Sequence, residues 1–279
     1  MHLWKVKPER PKDYHCECEY CKIFRGVILN KDGSTINCRR RIGYHYLERS
    51  HIAKTPFPIA AWAVENFTKK GDWVVDPTIG VGTTGVEAKK QGRNIIGIEL
   101  NYDWARIAAL SCQQHKGKHL IHYGDVRNWI GFLGGRSYQL IVNNPPYSGD
   151  QHASIKTDED GFVVDRNYHD YDSDERNLAF MKEGETYYKL LGKIYNGIGA
   201  LYLNSGGYLV IGVKDMVRNK QPYLIHRHIN KVIDIEIYSF QGVWILPHYP
   251  RTLFMNTYPK RFPEVKIPLY QTISVWRKR

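Results

Sequence analysis

The sequence predicts an α/β protein built on an open, mostly parallel sheet. Three observations carry that expectation. Apolar runs of strand length alternate with longer segments whose apolar residues recur at helical spacing. One run, Trp73 to Asp76, leads into a glycine-rich turn, Gly80 to Gly85, and then a helix start. Another, Tyr138 to Asn143, is stopped by Pro145 and Pro146. Proline donates no backbone hydrogen bond and drives the residue before it out of the helical region. The chain therefore leaves that strand as a stiff turn at its carboxyl end, the side on which open α/β sheets bind ligands.

Composition sets the bounds. The 279 residues, 42% hydrophobic and 24% charged, suit one large domain, or one domain with a small appendage. No run of about 18 apolar residues suggests a membrane span, and Met1 to Lys5 lacks the apolar core of a signal peptide. A cytoplasmic protein with no membrane partner is expected. The net charge of +12 favours a polyanionic partner, although a basic protein with no nucleic-acid role can carry the same charge. The charge is uneven. Residues 1–54 hold 12 Lys/Arg against 6 Asp/Glu, residues 148–186 hold 4 against 11, and residues 241–279 hold 7 against 1. Two basic ends flank an acidic middle.

Taken in order, residues 1–50 read as an irregular basic extension. Cys16, Cys18, Cys21 and Cys38 are four of the five cysteines, and four thiolates can close a tetrahedral zinc site. Reduced cysteines, or disulfides in a thermophile, are the other readings. Arg39, Arg40 and Arg41 form a basic cluster fit for phosphates or merely solvated.

The rest of the chain, 51–279, reads as the main domain. His51 to Pro58 leads into a helix from Ile59 to Lys69, ended by Gly71. The strand from Trp73 is followed by Asp76-Pro77-Thr78-Ile79-Gly80-Val81-Gly82-Thr83-Thr84-Gly85. Glycines there let backbone approach a ligand, and the helix amino terminus offers free N–H groups. That helix runs from Val86 to Gln91. A strand from Asn94 ends in Glu99, placed to accept from ribose hydroxyls. A helix spans Asp103 to His115, with Cys112 as a small core residue. His119 to Tyr123 is a strand, followed by Gly124-Asp125-Val126.

Gly80, Gly82 and Gly85, with Glu99 downstream, also match the dinucleotide fingerprint. A nicotinamide dehydrogenase is therefore a rival. Asp76 argues against it, because a carboxylate beside a pyrophosphate repels it and favours a cationic ligand instead.

The order Asp76-Pro77-Thr78, Gly80, Gly82-Thr83-Thr84, then Gly97-Ile98-Glu99, Gly124-Asp125-Val126 and Asn144-Pro145-Pro146-Tyr147 resembles the S-adenosylmethionine-dependent amino-group DNA methyltransferases. The resemblance is strongest over residues 45–150. It implies a Rossmann-like class I methyltransferase fold, a mostly parallel seven-stranded sheet with an antiparallel last strand. It also implies S-adenosylmethionine as cofactor. Asp76, Thr78, Gly80, Gly82, Thr83 and Thr84 would hold its methionine end, with Phe57 nearby. Glu99 and Leu100 would take the ribose, and Asp125 and Val126 the adenine. Asn144 and the Pro145 carbonyl, stiffened by Pro146, would accept from the target amine, and Tyr147 would stack on the target base.

The chemistry explains those groups. An exocyclic amine is a poor nucleophile because its lone pair is delocalised into the ring. Two acceptors on its N–H groups favour a pyramidal nitrogen, held in line with the methyl by positioning rather than by a covalent intermediate. A base inside a duplex must be flipped out to be reached. Cytosine C5 chemistry would want a Pro-Cys nucleophile, and no proline precedes a cysteine here. Within the resemblance a leading Asn points to adenine N6 in double-stranded DNA. Cytosine N4, and guanine N2 in RNA, stay open. So does a non-catalytic nucleic-acid-binding protein on the same fold.

Residues 148–186 read as a long acidic loop at the rim of the site. A helix covers Tyr187 to Leu203, with Leu190, Leu191, Ile194, Ile198 and Leu201 inward. Tyr208 to Val213 is a strand, Pro222 to Ile229 a helix, Val232 to Tyr238 a strand, and Thr272 to Trp276 the last strand. Between these last two, residues 241–269 interleave basic and aromatic side chains, with Arg251, Lys260 and Arg261 as candidate nucleic-acid contacts.

Overall fold

The computed structural model describes residues 4–12, 14, 16–36, 44, 55–147, 176–181, 184–218, 221–247 and 270–279. Its strands are β1 (Lys5–Lys7), β2 (Phe24–Leu29), β3 (Trp73–Asp76), β4 (Asn94–Glu99), β5 (His119–Tyr123), β6 (Tyr138–Asn143), β7 (Leu203–Lys214), β8 (Met216–Arg218), β9 (Gln221–Tyr223), β10 (Tyr238–Pro247) and β11 (Tyr270–Lys278). Its helices are α1 (Phe57–Phe67), α2 (Thr83–Lys90), α3 (Tyr102–Gln113), α4 (Trp129–Leu133), α5 (Glu185–Tyr202) and α6 (Ile225–Asn230).

One nine-stranded sheet runs β1-β2-β10-β11-β7-β6-β3-β4-β5. The neighbours from β5 to β7 pair in parallel, and β11 is antiparallel to both β7 and β10. The seven strands from β5 to β10 are thus the expected methyltransferase sheet with its antiparallel last strand. The expected total of seven is corrected to nine by the amino-terminal segment, expected to be irregular. There β2 pairs in parallel with β10, Gly26 opposite Trp244 and Val27 opposite Ile245, and β1 caps it antiparallel. The buried Val27, Ile28 and Leu29 explain the docking. A run this apolar finds its hydrogen-bond partners and cover at the free edge of β10.

Alternation along the strands divides the core. Val75, Ile96, Ile141 and Leu209 face the layer of α4, α5 and α6. Val74, Ile95, Leu140 and Val210 face that of α1, α2 and α3. A third cluster packs Tyr14, Cys16, Cys18 and Cys21 against β2 and β10.

Four further expectations change. The penultimate strand begins at Tyr238, where Val232 to Tyr238 was expected to end, so residues 241–247 are strand rather than loop. Trp244 there lies 5.3 Å from Trp62, ring to ring, as packing. Gln221–Tyr223 pairs with β8, which delays α6 to Ile225. Leu201 is 64% exposed, while Tyr187, Tyr188 and Tyr195 take buried places on α5. Cys112 is a core residue as expected, fully buried, its thiol pushed up to about 12 by desolvation.

Candidate active site

The chain runs outward from β3 through β4 to β5, then returns to the other side of β3 as β6. At such a reversal the loops leaving adjacent strands diverge and open a crevice. Here the loops after β3, β4, β5 and β6 line one cleft of about 960 Å³, its open mouth included.

Of the residues singled out by sequence, Thr78, Gly80, Thr83, Glu99, Leu100, Asp125, Val126 and all of Asn144 to Tyr147 line this cleft. Phe57, Asp76, Gly82 and Thr84 do not. Phe57 opens α1 and packs into the core on that side. Gly82 caps α2 at φ 90°, and a Cβ there would lie 2.9 Å from Ala108 Cα, so it serves the close approach of α2 to α3. Thr84 is buried in α2. Asp76, expected to face a cationic ligand, is 1% exposed behind the loop. Its Oδ1 accepts from Thr78 N at 3.1 Å and from Asn143 Nδ2 at 2.9 Å. Burial pushes its carboxyl up to about 6 against those bonds.

Glu99 ends β4 at the cleft. Gly80 N donates to its Oε2 at 3.0 Å and Asn101 N to its Oε1 at 2.9 Å. Gly80 holds φ 55°, which lets its N–H point back to that carboxylate. Each carboxylate oxygen has a second lone pair for a ligand hydroxyl. Burial pushes this carboxyl up to about 7. Asp125 caps the turn after β5, accepting from Arg127 N at 2.9 Å and pairing with the Arg127 guanidinium.

The tetrapeptide after β6 is pinned from two elements. Tyr187 of α5 donates its hydroxyl hydrogen to the Pro146 carbonyl. Lys214 N, at the end of β7, donates to the Tyr147 hydroxyl at 2.8 Å. The first holds the backbone before the tyrosine and the second holds the end of its ring. Asn144 Oδ1 is buried and finds no hydrogen-bond donor among the described residues. A buried amide oxygen left unpaired is costly, and this one belongs to a residue of the cleft lining.

Asn143, one residue earlier, was not anticipated. It is 1% exposed. It donates to Asp76 Oδ1 and to Thr78 Oγ1, the latter at 2.8 Å, and accepts from the Tyr195 hydroxyl at 2.6 Å. A polar residue closing an apolar strand was its signal. Arg176, Asn177 and Leu178 also line the cleft, from the described part of the expected rim loop. Residues 148–175, Cys38, Arg39, Arg40, Arg41, Arg251, Lys260 and Arg261 lie outside the described residues. No described helix is long and apolar enough to cross a membrane.

Cys16, Cys18 and Cys21 do converge, and the fourth donor beside them is His226 of α6. No spacing rule could have found it, because it lies 205 residues beyond Cys21.

Comparison with known proteins agrees with the motif reading. The N6/N4 methyltransferase family model, described as "DNA methylase", matches residues 6–110. The Type II methyltransferase M2.DpnII of Streptococcus pneumoniae is 51% identical over 106 residues, 38% of this chain and 39% of that protein. M2.LlaDCHI of Lactococcus lactis subsp. cremoris is 30% identical over 106 residues, again 38% and 39%. The aligned stretch thus spans about two-fifths of these relatives. A tRNA (guanine(10)-N2)-dimethyltransferase of Pyrococcus abyssi is 25% identical over 103 residues, 37% of this chain and 31% of that protein. Among solved structures, a methyltransferase from Pyrococcus furiosus superposes with a TM-score of 0.47 at 12% identity, covering 80% of this chain and 83% of that one. The family model and the two Type II relatives bear out the resemblance to amino-group DNA methyltransferases read from the motifs.

Proposed function

We propose that this protein transfers a methyl group from S-adenosylmethionine to the exocyclic amine of a base in DNA, adenine N6 being the preferred target. The observation that carries the reading is Asn144 Oδ1, a buried acceptor without a donor among the described residues, on a residue that lines the same cleft as Glu99. Such an orphan is satisfied by a ligand N–H, and an aminated base supplies one.

The cleft residues fit the cofactor. Glu99 keeps lone pairs for two ribose hydroxyls after accepting from Gly80 and Asn101. Leu100 and Val126 offer apolar cover beside it, and the Asp125 carboxylate can accept from an adenine amine. Asp76 acts from behind, fixing the Thr78 loop through its backbone N–H. When bound, the cofactor supplies an electrophilic methyl on a sulfonium.

The chain's own residues do the rest. Asn144 Oδ1 takes one amine hydrogen and the Pro145 carbonyl the other, which frees the nitrogen lone pair. Tyr147, its hydroxyl tied to Lys214 N, offers its ring face to the base. In a duplex the target must leave the stack to reach that ring. Catalysis on this reading is positioning and electrostatics, with no covalent enzyme intermediate.

The test is nucleoside mass spectrometry after incubation with methyl-labelled cofactor and single-stranded DNA, duplex DNA or tRNA. N6-methyldeoxyadenosine is the expected product. N4-methyldeoxycytidine or N2-methylguanosine would select the other amines. Calorimetric binding of the cofactor with no labelled nucleoside would favour a non-catalytic binder.

A further inference from the structure

We propose that Cys16, Cys18, Cys21 and His226 form a structural zinc site that fastens the amino-terminal segment to the carboxyl-terminal half of the sheet. All four side chains are buried, and their ligand atoms lie within 4.8 Å of one another. The three sulfurs stand 3.5, 3.1 and 3.3 Å from a single atom, His226 Nε2. With zinc–sulfur and zinc–nitrogen bonds of ordinary length, a tetrahedron has S···N edges of about 3.5 Å.

Packing alone does not explain this convergence. His226 Nδ1 lies 2.6 Å from Asp215 Oδ2. A carboxylate accepts there, so Nδ1 carries a proton and Nε2 is the nitrogen turned to the sulfurs. One ring nitrogen can give or take a single hydrogen bond, yet three sulfurs surround it. A cation in their midst satisfies all four donors at once, with the thiols as thiolates.

The surroundings are those of a metal site. Asp215 is itself held, accepting from His226 N at 3.1 Å and from Thr272 Oγ1 at 3.2 Å. A carboxylate that orients a ligating imidazole through its far nitrogen is the usual outer support of zinc. Cys18 O accepts from Cys21 N at 3.0 Å, the tight turn that brings both sulfurs to one side. The Tyr14 hydroxyl lies 3.1 Å from Cys21 Sγ. The Arg10 guanidinium reaches the carbonyls of Cys16 and Cys21, setting a positive charge beside three negative sulfurs. The donor set of three sulfurs and one imidazole nitrogen leaves no open position, so the metal is structural. Asp215 also directly follows Lys214, whose N–H holds Tyr147. The metal thus joins the segment before β2 to the strand end that anchors the cleft tyrosine.

The experiment is elemental analysis of the full-length protein purified without a metal-chelating tag, with Cys38→Ser, His226→Ala and Asp215→Asn beside it. About one zinc per chain is expected in the wild type and in Cys38→Ser. The metal should be lost from His226→Ala. Asp215→Asn should keep it with an affinity lower by roughly 10–100-fold. Cobalt exchanged into the wild type should show the intense visible bands of a tetrahedral ion and a thiolate charge-transfer band. Wild-type protein that is metal-free after growth with added zinc, with all its thiols titrating and its melting unmoved by chelator, overturns the proposal. So does loss of zinc from Cys38→Ser while His226→Ala retains it.

Discussion

Asn143 Nδ2 stands 2.9 Å from Asp76 Oδ1, and this one hydrogen bond ties the carboxyl end of β6 to that of β3. The same amide nitrogen reaches Thr78 Oγ1, and its carbonyl oxygen takes the Tyr195 hydroxyl hydrogen. The loop on the proposed cofactor side and Asn144 on the proposed target side are therefore positioned by a single buried amide.

Replacing Asn143 by Ala leaves the Tyr195 hydroxyl without its acceptor, at about 1–3 kcal/mol for the unsatisfied group, and takes one donor from the Asp76 carboxyl, which keeps Thr78 N. Melting should fall by several degrees. Asn143→Asp sets a second carboxyl against Asp76, whose own carboxyl already sits at about 6. The pair can share one proton in acid but must lose it as pH rises. The variant should approach wild-type stability at pH 5 and fall away towards pH 8 in thermal melts. A pH-independent loss would show that the two carboxyls do not meet.

Glu99 gives a pH dependence of known sign. Its folded pKa, about 7, is above the ordinary 4.5, so the folded protein binds the extra proton. Its contribution to stability is greatest below about pH 4.5 and is lost as pH rises through 7. Hydroxyl donors favour the ionised carboxylate, so S-adenosylmethionine affinity should rise with pH up to about 7, by at most roughly tenfold per unit. Glu99→Gln should bind more weakly, by about 1.5–3 kcal/mol per charged hydrogen bond lost, and without that slope. Calorimetry from pH 6 to 8 that finds the same slope in both proteins would falsify the assignment.

Asn144→Ala should spare cofactor affinity and lower kcat, on the order of 100-fold or more, because the lost acceptor matters most when the amine becomes pyramidal. Single-turnover kinetics with saturating cofactor would measure this. Unchanged turnover on every methylated substrate would remove Asn144 from catalysis.

Tyr147 separates ring from hydroxyl. Tyr147→Phe loses the hydroxyl that accepts from Lys214 N, about 1 kcal/mol of stability, and should keep target KM near wild type. Tyr147→Ala loses the stacking face as well, about 1–3 kcal/mol of base capture. DNA with an abasic site or mismatch at the target position should bind the wild type more tightly than paired DNA, since less unpairing opposes flipping. Equal KM for the Phe and Ala variants would show that the ring does not meet the base.

The amino-acid order by itself determined the strand, turn and helix succession from Trp73 to Tyr123, the strand from Tyr138 to Asn143, and the loops that carry Thr78, Glu99, Asp125 and Asn144, but not the short α4 between them. Those features are local. Glycine and proline set backbone angles where they stand, and apolar periodicity marks strand or helix within a few residues. Because the loops all leave parallel strands at their carboxyl ends, one cleft follows from them.

Only the tertiary structure decided which groups face that cleft and which stand behind it. Asp76, Thr83 and Thr84 share the motif with Thr78 and are all buried, yet of these three Thr83 alone joins Thr78 in the cleft lining. Asn143 acquired its role from Tyr195, 52 residues on. His226 meets Cys21 from 205 residues away, and β2 found the edge of β10 by the same return of the chain. Such pairings leave no local pattern, because any buried donor takes whatever partner the packed chain brings within about 3 Å.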